Sequence, residues 1–180
     1  HWFSVPTLLV YLLTTKAVDD NSFPSLKKII FGGEGFPKKH LNTLFKMLNP
    51  RVQFYNVYGP TECTCICSSH QVSTKDLAES GELVTLGRPN RNFEFNLLGE
   101  EENIGELELK GPCVGLGYYR DPKRTSDSFN SQDQSSQFNP ELNSLVYRSY
   151  RTGDLLKKVE DRYYFLGRVD NQIKHLGYRI

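Results

Sequence analysis

The stretch "LKKIIFGGEGFPKKHLNTLFKMLNPRVQFYNVYGPTE", Leu26 to Glu62, decides the fold. It opens on a short apolar run that ends in glycines. Pro37 then starts a segment whose Leu41, Leu44, Phe45 and Leu48 recur at helical spacing. "VQFYNV" follows as a second strand, and "TCICSSH" (Thr64 to His70) reads as another. Strand, helix, strand in this order is the βαβ pattern of a parallel sheet. Just before it, Ser4 and Pro6 suit a helix cap and first turn, with Leu8, Leu9, Leu12 and Leu13 as one apolar stripe.

The second strand ends in polar groups. Read locally, "YGPTE" is a strand running into a turn: Gly59 tolerates a positive φ, Pro60 fixes its own, and Thr61 and Glu62 are solvated. Read with the sheet, it is a ligand site, because parallel sheets bind at the carboxyl ends of their strands and "GGEG" (Gly32 to Gly35) and "NVYGPTE" mark two such ends. There, glycines admit a planar ligand, Tyr58 suits stacking on a base, Asn56 suits its polar edge, and Thr61 and Glu62 suit a phosphate and its Mg²⁺. Equally, Asn56 caps a turn, Tyr58 belongs to the core and the glycines form a bulge. The local pattern leaves both readings open.

After about residue 82 the texture changes. "NFEFNLLG", "IGELELKG", "LVYRSY", "GDLLKKVE" and "RYYFLGR" are short runs separated by turn residues, and only "DPKRTSDSF" is helical in pattern. This half reads as an antiparallel sheet or small barrel. The expected fold is therefore α/β: part of a parallel αβ sheet subdomain over residues 1–81, then a β-barrel-like subdomain over 82–166. The Ser-, Gln- and Asn-rich "NSQDQSSQFNPELNS" (Asn130 to Ser144) reads as an exposed, mobile loop.

Composition narrows the function classes. In 180 residues, 38% apolar and 12% aromatic content can bury a substantial core, and 22 basic against 21 acidic residues, scattered rather than striped, argue against a nucleic-acid surface. The apolar run in "HWFSVPTLLVYLLTT" is short, interrupted by Pro6 and without a basic leader, so it fits neither a signal peptide nor a membrane span. A cytoplasmic protein is expected. With no initiator Met and a last segment, "KHLGYRI", that has no closing turn, the chain reads as a fragment of a longer one.

Cys63, Cys65 and Cys67 alternate in "CTCICSSH", which on a strand places them on one face with His70 just beyond. A zinc site needs tetrahedral ligands from a second segment, and no such partner is visible. The thiols, with Cys113, read instead as small apolar fillers in a reducing compartment.

Taken together, "YGPTE", "YRTGD" (Tyr150 to Asp154) and "GRVDNQIK" (Gly167 to Lys174), in this order and with "GELELKGPCVGLGYYRDPKRTSDSF" between them, resemble the adenylate-forming superfamily along the whole chain. The resemblance is greatest to the amino-acid-activating adenylation domains of nonribosomal peptide synthetases (NRPS) and the D-alanine–carrier-protein ligases. It implies that Gly33, Glu34 and Gly35 border an adenine, with Asn56 on its edge and Tyr58 stacked beside it. Thr61 then contacts the α-phosphate and Glu62 helps bind Mg²⁺. Asp154 takes both ribose hydroxyls, which suits an acceptor-only group facing two donors. Phe165 lies near the ribose, Arg168 near the ribose and phosphate, and Asp170 is a hinge opening the next domain within 167–180. Lys174 serves the thioester step. An acyl pocket of Ile30, Gly32, Val57, Cys65 and Ile66 implies a small or aliphatic amino acid.

The activity so implied joins a carboxylate to the α-phosphate of ATP and then passes the acyl group to the phosphopantetheine thiol of a carrier protein. By the same resemblance, the phosphate loop, the amine-binding aspartate and a distal lysine lie outside these residues, so the 180-residue piece alone is expected to be inactive. Leu176, where peptide synthetases commonly carry Arg, points slightly to the D-alanine branch. Acyl-CoA synthetases and fatty acyl-AMP ligases share the fold but generally carry Lys-Asp after "GR-x", whereas this chain has "GRVDNQIK". A non-catalytic nucleotide-binding relative is the remaining alternative, against which Glu62, Asp154 and Lys174 are all present.

Overall fold

The computed structural model describes residues 1–131, 148–170, 174, 175, 178 and 179. The elements run β1 (Trp2–Ser4), α1 (Pro6–Thr14), β2 (Lys28–Gly32), α2 (Lys38–Leu48), β3 (Gln53–Tyr58), a 3₁₀ turn (Thr61–Cys63), β4 (Ser68–Gln71), α3 (Thr74–Ala78) and β5 (Arg88–Pro89). They continue with β6 (Glu94–Leu98), β7 (Ile104–Gly111), α4 (Pro122–Ser128), β8 (Phe129–Ser131), β9 (Arg148–Val159), β10 (Arg162–Arg168), β11 (Lys174–His175) and β12 (Tyr178–Arg179).

The first sheet has the order β1-β2-β3-β4-β5, with β1, β2 and β3 parallel and β4 and β5 antiparallel to their neighbours. Thus the βαβ unit is present, and the strand after it turns back. The second sheet is wholly antiparallel, β10-β9-β7-β6, with β8 on the free part of β9. It is an open sheet, not a closed barrel. The two meet where Leu86 N–H donates to Tyr163 O at 2.8 Å and Tyr163 N–H to Gly87 O at 3.1 Å.

Each sheet has its own core. Ile29, Phe31 and Phe54 of β2 and β3 pack on Leu41, Leu44, Phe45 and Leu48, the stripe that the spacing predicts. Leu107, Leu109 and Leu156 form the floor of the second cluster with Phe95, Tyr58 and Tyr163. Burying such side chains, at roughly 1.5–3 kcal/mol each, is what holds these elements.

Several local expectations are corrected. Ser4 lies in β1 and does not cap α1, because its hydroxyl oxygen accepts from Trp2 Nε1 at 2.8 Å and its hydroxyl donates to Val5 O. Val5 is the N-cap, with no side-chain cap bond, and of the expected stripe only Leu9 is buried while Leu8 is exposed. "LVYRSY" and "GDLLKKVE" are not separate runs: Arg148 to Val159 is one strand. The cysteines do not share a strand face either. The 3₁₀ turn and the left-handed Thr64 and Cys65 (φ 59° and 81°) coil the chain until β4 begins at Ser68. Cys63 and Cys67 are therefore buried and Cys65 exposed. The neighbouring Cys67 thiol and burial push the Cys63 thiol far up, so it stays protonated. Most of the Asn130–Ser144 stretch, residues 132–144, lies outside the described residues, as do 171–173, 176, 177 and 180.

A buried carboxylate ties the sheets together. Asp76 closes a capping box with Ser73 at the start of α3, lies 3.0 Å from His70 Nε2 of β4 and accepts from Arg162 Nη1 of β10 at 3.2 Å. Burial opposes its ionisation, but the hydrogen bonds from Ser73 and the adjacent His70 ring outweigh burial, and its pKa falls below the ordinary 3.8. Removing one partner from a buried charge cluster is costly, so Asp76→Ala is expected to lower stability by about 3 kcal/mol in urea unfolding. Because the folded pKa is lowered, the part of the difference that depends on the ionised carboxylate is full above pH ~4 and is lost as pH falls through and below that value. A pH-independent difference would refute the role of the ionised form.

Candidate functional site

Between the tips of β2 and β3 and the end of β10 lies a cavity of about 760 Å³. Gly33, Glu34 and Gly35 form one wall, Asn56, Val57 and Tyr58 a second, and Phe165, Arg168 and Asp170 the third. These nine predicted residues, from three separate sequence stretches, meet around one space. Phe31, Phe36, Leu83, Val84 and Leu86 complete an apolar lining. Asn56 is fixed by its Nδ2, which donates to Thr85 O at 2.9 Å. Glu34 does more than lend its backbone: its Oε1 accepts from the Thr7 N–H at 2.7 Å and from the Thr7 hydroxyl. A carboxylate on the first turn of α1 satisfies an orphan N–H and complements the helix dipole.

Behind this cavity sits Asp154, 3% exposed and not part of its lining. The Tyr58 hydroxyl donates to its Oδ2 at 2.6 Å and Arg168 Nη1 donates to its Oδ1. Burial, and then the Asp154 charge, push the Tyr58 phenol well above its ordinary value, so it remains a donor. Arg168 also donates from Nε and Nη2 to both oxygens of Asp170, at 2.6 and 2.7 Å, and from Nη2 to Thr152 O at 3.1 Å. The Asp170 bond, together with Asp154, holds the guanidinium above its usual value and charged. Gly153 makes room for this clamp. Its φ is +73°, and a Cβ there would lie 2.6 Å from Arg168 Nη2 and 2.9 Å from Asp170 Oδ2. The strand is aligned by Glu106, which accepts from Gly153 N–H at 3.1 Å and pairs with Arg151.

A second cavity, about 400 Å³ and polar, adjoins the first, and Arg168 and Asp170 line both. Glu62 faces this second space, together with Tyr118, Tyr150 and Arg124. Thr61 is exposed on the 3₁₀ turn beside it. Gly32 is buried at the end of β2 and Ile30 is half-buried on the same strand, while Cys65 and Ile66 are exposed on the loop before β4. Of the expected acyl-pocket residues, only Val57 lines the first cavity. Lys174 lies in β11, paired with Arg179.

The AMP-binding enzyme family model matches residues 1–119. The chain belongs to this family. It is 33% identical over 99% of its length to an L-proline–[L-prolyl-carrier protein] ligase of Streptomyces coelicolor, and 32% identical over 92% to malformin synthetase mlfA of Aspergillus homomorphus. The chain spans 32% of the first and 3% of the second. Among solved structures it superposes on an NRPS protein containing adenylation and PCP domains with a vinylsulfonamide inhibitor bound (TM-score 0.81, 27% identity, 99% of this chain and 30% of that one). It likewise superposes on the Vibrio cholerae adenylation domain AlmE in complex with glycyl-adenosine-5′-phosphate (TM-score 0.77, 26% identity, 99% and 33%). The relatives so named are a carrier-protein ligase, a synthetase and adenylation-domain proteins, and they do not single out a D-alanine branch.

Proposed function

We propose that this AMP-binding chain is the nucleotide-holding part of an ATP-dependent amino-acid adenylating enzyme, which forms an aminoacyl-AMP and passes the acyl group to a carrier-protein phosphopantetheine thiol. The observation that carries the reading is the pair of cavities meeting at Arg168. One is apolar and glycine-edged, suited to an adenine; the other is polar, suited to phosphates. An adenine nucleotide needs such a pair, joined at a cation.

In this reading the adenine lies against Gly33, Glu34 and Gly35 with Asn56 and Tyr58, and the ribose beside Phe165. Ribose hydroxyls that engage Asp154 replace Arg168 on Oδ1, and the freed guanidinium turns to the α-phosphate near Thr61. Glu62 fits Mg²⁺ as a hard oxygen donor on the polar cavity; Mg²⁺ commonly takes one or two protein carboxylates and completes its shell with phosphates and water. When bound it neutralises charge on the departing pyrophosphate. A carboxylate oxygen of the amino acid attacks the α-phosphorus, pyrophosphate leaves, and the chain's own groups contribute positioning and charge. Val57, which lines the first cavity, is proposed to form with Ile30, Gly32, Cys65 and Ile66 an apolar acyl pocket for a small or aliphatic amino acid. Asp170 serves as the hinge and Lys174 as the thioester-step residue. The carrier protein and the cytoplasmic setting belong to the same proposal; among the described residues no helix is long and apolar enough to cross a membrane.

ATP–pyrophosphate exchange by the complete protein, across a panel of amino and fatty acids, tests this. Exchange with one or a few small or aliphatic amino acids is expected. Exchange with fatty acids alone moves the chain to the acyl-CoA or fatty acyl-AMP ligases, and ATP binding without exchange for any acid leaves a non-catalytic relative.

A further inference from the structure

Glu62 is gripped twice by the segment that leads into α4. Its backbone carbonyl accepts from the Gly115 N–H at 2.7 Å, and its Oε1 accepts from the Tyr118 hydroxyl at 2.9 Å. Tyr118 is itself held on several sides. Its N–H donates to Thr125 Oγ1 at 2.9 Å, its ring meets Phe129 edge-on at 5.3 Å between centroids, and the Arg124 guanidinium lies 4.6 Å over its face. The Tyr150 hydroxyl is 3.2 Å from its own.

A phenol has one proton to give. The Tyr118 hydroxyl directs its proton to the Glu62 carboxylate. The Tyr118 oxygen is then the acceptor for Tyr150, and the hydroxyls form a directed chain from Tyr150 through Tyr118 to Glu62. Glutamate has several rotatable bonds, and fixing a carboxylate before a cation arrives removes that ordering cost from binding. Tyr118 and Glu62 both line the polar cavity, and neither lines the 760 Å³ one.

We propose that Tyr118 is a positioning residue whose hydroxyl, backed by that of Tyr150, presents the Glu62 carboxylate to a divalent cation on the polar cavity. This rests on the reading of Glu62 as the metal-holding carboxylate, and the test separates the two. Mn²⁺ is titrated into the complete protein with a non-hydrolysable ATP analogue, free Mn²⁺ being followed by electron paramagnetic resonance, for wild type, Glu62→Gln, Tyr118→Phe and Tyr150→Phe. Tyr118→Phe is expected to raise the Mn²⁺ dissociation constant about tenfold, the lower end of what loss of an outer partner costs a metal ligand. It should raise the apparent Mg²⁺ constant in pyrophosphate exchange alongside, while the rate at saturating Mg²⁺ falls far less. Tyr150→Phe should shift the same constants in the same direction by less, and it decides the matter if Tyr118→Phe does not fold. If Glu62→Gln weakens Mn²⁺ and neither tyrosine variant does, the role of Tyr118 is refuted and the metal reading of Glu62 stands. If none of the three moves the constant, the metal reading itself falls. A lowered saturating rate with an unchanged metal constant also overturns the proposal.

Discussion

Asp154→Ala in the complete protein is expected to raise the dissociation constant for ATP about a hundredfold or more. The proposed ribose contact is two hydrogen bonds to one carboxylate, each roughly 1.5–3 kcal/mol when the acceptor is charged, and every 1.4 kcal/mol is tenfold. The same substitution has a structural cost that can be read separately. Tyr58 is 8% exposed and would lose the acceptor of its hydroxyl, at about 1–3 kcal/mol. Arg168 would not be orphaned, since both oxygens of Asp170 and the carbonyl of Thr152 remain. The fold should therefore survive with modest loss of stability. Isothermal titration with ATP, beside urea unfolding, separates the two effects; unfolding cost without loss of affinity would make Asp154 a structural residue only.

Gly59→Ala is expected to lower stability by about 3 kcal/mol, as much as Asp76→Ala, at the upper end of ordinary overpacking. A Cβ at Gly59 would lie 1.8 Å from Cys65 O and 2.8 Å from Cys67 N, which are backbone atoms. They cannot give way cheaply. Cys67 N–H donates to Tyr58 O at 2.7 Å and Cys65 N–H to Pro60 O at 3.2 Å, and Cys67 is wholly buried. The loop that follows the turn folds back onto it, so any shift reaches Thr61 and Glu62. Thermal melting of the complete protein should fall by several degrees and the exchange rate with it. An unchanged melting temperature would mean that Cys65–Cys67 moves freely, contrary to the observed bonding.

The βαβ unit was legible because periodicity there is undisturbed: Leu41, Leu44, Phe45 and Leu48 are a helical stripe and all four are buried. Reading "TCICSSH" as a strand holds only from Ser68, because alternation alone cannot register left-handed residues such as Thr64 and Cys65, which break the extended path before it. The capping of α1 was hidden for another reason. Ser4 is the local candidate, but the group that satisfies the helix is Glu34, 27 residues beyond the Thr7 N–H it accepts from and adjacent only once β1 and β2 pair. β9 was split in two because Gly153 looks like a turn, whereas it sits within the strand and accommodates Arg168.

The site followed the same division. Strand tips and glycine-rich ends announced Gly33, Glu34, Gly35, Asn56 and Tyr58, and the motif resemblance added Phe165 and Arg168; Asp170, expected only as a hinge, lines the same cavity. Side-chain partnerships across the two sheets carried no sequence signal. Tyr58 reads as a stacking ring, and its bond to Asp154, 96 residues on, is visible only in three dimensions. Leu83, Val84 and Leu86 lie in "ELVTLG", an apolar run too short to stand out, and Tyr118 is one aromatic among ten tyrosines.

The most direct measurement is a crystal structure of the complete protein with a non-hydrolysable aminoacyl-adenylate analogue. The adenine should lie against Gly33, Glu34 and Gly35 beside Tyr58, with the ribose hydroxyls on Asp154 and Arg168 turned from Oδ1 toward the phosphate position. An analogue bound elsewhere, with Asp154 still closed between Tyr58 and Arg168 and the 760 Å³ cavity empty, would contradict the nucleotide reading.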